Sequence, residues 1–157
     1  MLQQAAQDKK EDLEKLRRKN KEAEKELTDG IVSDLRRAGD SSYNDYRFEE
    51  ALGSYPEAFH YTNRENDPQL WAATLVYIAA AHVELGIRVE GQGAKEHLAA
   101  AVAAYRSALE VLTRQDLPQD WARAQNTLGN VLSEQGIRAE GKEATELLSQ
   151  AVAAYLP

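Results

Sequence analysis

The sequence predicts an all-α chain in which helical hairpins repeat behind a separate, charged N-terminal helix. Three observations carry that expectation. Pro68 to Tyr105 aligns without a gap onto Pro118 to Tyr155, an offset of 50 residues with roughly half the aligned positions identical. Inside each copy apolar residues recur at helical spacing, as at Leu75, Ile78, Ala79 and Leu85, with His82 on the same face. The period-two alternation of β-branched and aromatic residues that marks a strand is absent.

The elements follow in order. Residues 1–29 read as a solvated helix in which acids and bases interleave, with a thin apolar seam at Leu13, Leu16, Ala23 and Leu27 and Asn20 within it. Paired as a short coiled coil, that seam would take its register from Asn20. Residues 30–157 form the repeat domain, divided near 31–66, 67–116 and 117–157. The first repeat is the shortest, with Leu35, Ala38 and Gly39 on one arm and Phe48, Ala51, Tyr55 and Ala58 on the other. Pro56 predicts a kink or an early break in that second arm, because it removes one helical hydrogen bond and crowds the residue four back. In the second and third repeats the first arm opens on Pro68 or Pro118 and is expected to stop at a left-handed glycine cap, Gly86 or Gly136. The second arms, from about Ala94 to Leu112 and from about Lys142 onward, are rich in the helix formers Ala and Leu.

Composition bounds the function. With 157 residues, 43% of them hydrophobic, the chain can bury the core of one domain. Its 19 basic and 26 acidic side chains give a net charge of −7 and no footprint for nucleic acid. The charged run from Met1 to Asn20 holds neither a signal-peptide core nor a membrane span, so membrane partners are not expected either. No cysteine is present, which fits a reducing, cytoplasmic compartment and excludes thiolate metal sites.

The skeleton of Thr127-Leu128-Gly129-Asn130, Gly136, Ala151 and Tyr155 resembles the tetratricopeptide repeat, with Ile78-Ala79 and Ala38-Gly39 at the Leu-Gly position of the other copies. Inserts of about ten residues, Ile87 to Glu96 and Ile137 to Glu146, lengthen the usual period and are similar to the kinesin-light-chain-like bacterial repeats. The resemblance implies a right-handed superhelical solenoid whose concave side is lined by the first helix of each repeat. Groove residues implied in this way are Arg36, Asp40, Tyr43 and Asn44 from repeat one and Val76, Tyr77 and Ala80 from repeat two. Repeat three would supply Arg123, Asn126 and Asn130. The amides of Asn126 and Asn130, one turn apart, would meet a peptide main chain, and Arg36 and Arg123 a carboxylate.

Catalytic motifs fail on inspection. Gly136 to Lys142 has phosphate-loop spacing, yet Glu143 stands where Ser or Thr is required and a helix precedes it. His60, His82 and His97 lack a second ligand at a helical spacing, so no metal and no cofactor is expected. Glu49 and Glu50 diverge on a helix and cannot share a substrate. Tyr55, Trp71, Tyr105, Trp121 and Tyr155 fall at repeat spacing and read as packing residues. The last hairpin has no polar capping helix after it. Leu128, Leu132, Leu148, Val152 and Tyr155 are therefore expected to seek cover, either from a longer array or from another copy. The leading expectation is a non-enzymatic scaffold holding a protein or peptide ligand. Self-assembly into a homo-oligomer, or a sensory role within a larger signalling enzyme, are the alternatives.

Overall fold

A computed structural model describes residues 2–156, with side chains from residue 11 onward. Those residues form six helices and no strand: α1 (Leu2–Asn44), α2 (Phe48–His60), α3 (Pro68–Arg88), α4 (Gly91–Leu109), α5 (Pro118–Arg138) and α6 (Gly141–Tyr155). The head and the first arm of repeat one are a single helix of 43 residues, about 64 Å long, and no break marks the expected boundary near residue 30. Gly30 lies inside it with open space where a Cβ would go. On the head, Leu13, Leu16 and Leu27 are exposed.

α1 ends in a Schellman motif. Tyr46 takes a left-handed φ of 62°, and Arg47 N–H and Tyr46 N–H donate to the carbonyls of Ser42 and Tyr43 at 2.8 and 3.0 Å. α2 then buries Phe48, Ala51, Tyr55 and Ala58 on one stripe and continues through Pro56 to His60, so the expected early break does not occur. At the start of α3, Asp67 accepts a hydrogen bond from Leu70 N–H at 2.9 Å, a cap worth about 1 kcal/mol. Leu117 holds the same place before α5 and offers no side-chain cap.

Gly86 and Gly136 do not end their helices. Both are buried inside, two residues short of the last helical residue, and serve close approach: a Cβ on either would lie 2.8 Å from a side-chain atom of Leu98 or Leu148. The left-handed residues are the next glycines of each motif, Gly91 at φ 65° and Gly141 at φ 60°, which open the second helices. The ten-residue inserts are thereby absorbed into longer helices, leaving only Val89-Glu90 and Ala139-Glu140 as links.

Each helix packs on its neighbours in chain order, and α3 also touches α5. Small residues make this possible: Ala72, Ala79, Ala101 and Ala108 are fully buried along the contacts. α3 is long and apolar enough to cross a membrane, with a mean hydropathy of 1.5, yet here it packs against α2, α4 and α5. Polar ties fix neighbouring hairpins, Arg64 to Glu110 and Arg106 to Gln150, each at 2.6 Å.

Candidate functional site

Three first helices, α1, α3 and α5, face a groove of about 920 Å³. Its floor is α3, which presents Leu70, Ala73, Val76, Tyr77 and Ala80. One wall comes from the end of α1, with Asp40, Tyr43 and Asn44; the other comes from α5, with Asp120, Arg123, Ala124 and Thr127.

Of the second-helix tyrosines, Tyr55 and Tyr105 reach the groove as well. Tyr55 of α2 lies so close to Gly39 that a Cβ there would sit 2.4 Å from its ring, and its hydroxyl donates to Asp40 Oδ1 at 2.7 Å. Tyr155 repeats the arrangement on Gly129, with its hydroxyl donating to Asn130 Oδ1 at 2.6 Å. The middle hairpin has Ala79 and Ala80 at the equivalent positions, so one removes the room for the ring and the other removes the acceptor. Tyr105 lines the groove with its hydroxyl turned to Thr127 of α5 rather than to its own hairpin. Burial, with a smaller contribution from Tyr43, pushes its phenol up to about 12 while Thr127 opposes the shift. Tyr55 is raised too, first by burial and then by Asp40, and Tyr43 by burial and Glu84.

Tyr77 is the aromatic centre. Its ring stacks on Tyr55 with centroids 5.4 Å apart, and the Arg36 guanidinium lies 4.8 Å from its centroid. Arg36 borders a smaller recess of about 210 Å³ beside the groove, where its Nε is buried without a hydrogen-bond partner among the described residues. Three carboxylates, Asp40, Asp67 and Asp120, line the main groove against one cation, Arg123.

Of the residues expected here, Asp40, Tyr43, Asn44, Val76, Tyr77, Ala80 and Arg123 do line one surface. Asn126 and Asn130 do not. Both are exposed on α5 outside the groove lining, and the Asn130 amide oxygen already accepts from Tyr155. Arg36 adjoins the groove rather than facing it, and lies against Tyr77. Asp67, Asp120, Tyr55 and Tyr105 were missed as lining residues. The one signal for Tyr105 was Ala80 in place of a polar neighbour, which leaves its hydroxyl to find a partner outside its own hairpin.

At the far end, Leu148, Val152 and Tyr155 are exposed, but Leu128 and Leu132 are buried in the core that α4, α5 and α6 share and present no open surface. The histidines also depart from expectation, since the hairpin turn brings His82 and His97 together with their Nδ1 atoms 2.9 Å apart. No third His, Cys, Asp or Glu joins them into a metal-holding group among the described residues. No family model, curated protein or solved structure matches the chain.

Proposed function

We propose that the chain is a non-enzymatic, cytoplasmic interaction module: a right-handed superhelical solenoid of tetratricopeptide-like hairpins that holds a peptide segment of a partner protein in its groove. The observation that carries this reading is the groove itself, about 920 Å³ in volume with an apolar helix as floor and polar walls on either side. Small side chains along α3, Ala73 and Ala80, leave room for a peptide backbone or a partner helix. The excess of Asp40, Asp67 and Asp120 over Arg123 favours a ligand with cationic side chains, in contrast to a carboxylate held by Arg36 and Arg123. Tyr43 and Tyr77, both partly exposed along the groove, add aromatic surface against which such cations or apolar anchors would rest.

Panning a random peptide library on the immobilised chain tests the reading. Enriched sequences should combine Lys or Arg with small apolar residues. Ala73→Arg, which fills the groove from its floor, should weaken a selected peptide by about tenfold or more. Failure to enrich any sequence, or an affinity that Ala73→Arg leaves unchanged, would refute it.

A further inference from the structure

The hairpins α3–α4 and α5–α6 share their sequence pattern but not their surroundings. Leu98, Val102 and Tyr105 are 1%, 7% and 3% exposed, whereas the identical residues 50 positions on, Leu148, Val152 and Tyr155, are 41%, 58% and 47% exposed. What makes the difference is α5. It lies along α4, touches α3 and adds Ala124, Leu128 and Val131 to the core that holds Val102 and Tyr105. It also brings Arg138, whose guanidinium donates to the carbonyls of Gly86, Val89 and Ile87 at 2.9, 3.3 and 3.4 Å, at the end of α3. Those carbonyls are among the groups that a helix terminus leaves without partners of its own, and a cation there complements the helix dipole. On α5 the corresponding carbonyls belong to Gly136, Ile137 and Ala139, at the same place on the open face.

We infer that the exposed face of α5–α6 is a second docking surface, and that it takes a partner helix of the α5 kind: small or apolar residues at i, i+4 and i+7, and an arginine at i+14. That pattern is Ala124, Leu128, Val131 and Arg138, the set that covers the same face one repeat earlier. A second copy of the chain does not supply it. In the register that matches Gly39 to Gly129, α1 offers Asp34, Ala38 and Ser41, all exposed, with Phe48 where the arginine should be. Two open faces pressed together lack the arginine as well, because Arg138 is engaged on α3. The surface is separate from the groove, so this inference stands apart from the reading of the groove.

The test uses the full chain and a fluorescent peptide of residues 118–155 that carries Val152→Asp on its own outer side. Anisotropy should show saturable binding, on the order of micromolar. Val152→Asp in the chain, or Arg138→Ala in the peptide, should weaken it about tenfold or more. Ala73→Arg in the chain should leave it unchanged. Absence of saturation, or indifference to Val152→Asp in the chain, would overturn the inference. A peptide that fails to fold is bypassed by joining a second copy of residues 106–155 after Tyr155, which should raise the melting temperature in a single transition. An unchanged melting temperature or a separate second transition would count against it. So would a concentration-dependent dimer of the parent chain abolished by Val152→Asp, since the face would then belong to a second copy.

Discussion

His82 on α3 and His97 on α4 meet ring to ring, their Nδ1 atoms 2.9 Å apart and their centroids 5.2 Å apart at a tilt of 42°. One nitrogen must donate and the other accept, so the contact needs opposite Nδ1 protonation in the two rings. In the sister hairpin the same two positions are Leu132 and Leu147, which pack as hydrocarbon. The contact therefore places an ionisable pair at a site where the fold accepts an apolar one.

Burial, and then the charge of His97, push His82 below its ordinary value of 6.5. The sign follows from proton binding. Between that ordinary value and the lower folded one, the unfolded chain takes up more protons, so stability is full above about pH 6.5 and falls as the pH drops through the folded value. Melting temperatures from about pH 7 to pH 5 should decline, and the double variant His82→Leu/His97→Leu should decline less over that interval. Parallel curves for the two proteins would show that the pair contributes nothing to the acid limb.

Gly39 and Gly129 occupy equivalent positions under Tyr55 and Tyr155, but the two rings differ in freedom. Tyr55 is fully buried, and a Cβ at Gly39 would meet it at 2.4 Å. Gly39→Ala should therefore cost about 1–3 kcal/mol through overpacking. Tyr155 is exposed and its ring can swing away, so Gly129→Ala should come out near neutral, with the clash offset by about 1 kcal/mol of helix propensity. Urea unfolding of both variants beside the parent chain gives the comparison directly.

Much of this architecture was legible from the repeat, because a gapless offset fixes which residues share an environment. The helical pairing of α3 with α4 and α5 with α6 followed from it, whereas the groove positions Asp40, Tyr77 and Arg123 were implied by the resemblance to the tetratricopeptide repeat. Other features depend on relations between copies that differ. The turning of the Tyr105 hydroxyl toward Thr127 follows from Ala80 standing where Asp40 and Asn130 accept in the other hairpins. Gly86 was misread because a helix-ending glycine and a close-packing glycine look alike in sequence; only Leu98 against its Cα separates the two. The meeting of His82 and His97 is fifteen residues apart in sequence and depends on the length of the hairpin link, which single-helix spacing cannot convey.

Arg138 should matter more than its counterpart Arg88. Arg138 reaches three carbonyls at the end of α3 and also bonds Glu134 at 2.7 Å. Arg88 lies over the Phe48 ring at 4.6 Å and pairs with Glu84. Removing Arg138 leaves helix-end carbonyls to partial solvation, a loss of about 1–2 kcal/mol given that the side chain is 29% exposed. For a chain of this size that is roughly 3–8 °C in melting temperature. Arg88→Ala should cost less than about 1 kcal/mol, since it forfeits an exposed ion pair and a cation–π contact. Equal effects of the two substitutions in thermal melts would refute the difference.

Asn130 and Tyr77 separate structure from binding. The Asn130 amide oxygen accepts from the Tyr155 hydroxyl at 2.6 Å on an exposed edge, outside the groove lining. Asn130→Ala should lower stability by less than about 1 kcal/mol, because water replaces the lost acceptor. Asp40→Ala removes the same kind of acceptor from Tyr55, whose ring is buried, and should cost about 1–3 kcal/mol by leaving that hydroxyl without a partner. Asn130→Ala lies outside the groove, and Asp40→Ala mixes the loss of a groove carboxylate with a structural loss, so neither isolates the groove. Tyr77→Ala does, since it removes the ring on which Arg36 and Tyr55 rest and opens the centre of the floor. A library-selected peptide should keep its affinity for Asn130→Ala and lose about tenfold or more for Tyr77→Ala, measured by calorimetry at a temperature where both variants stay folded. The reverse ranking would move the ligand off α3 and onto the outer edge of α5.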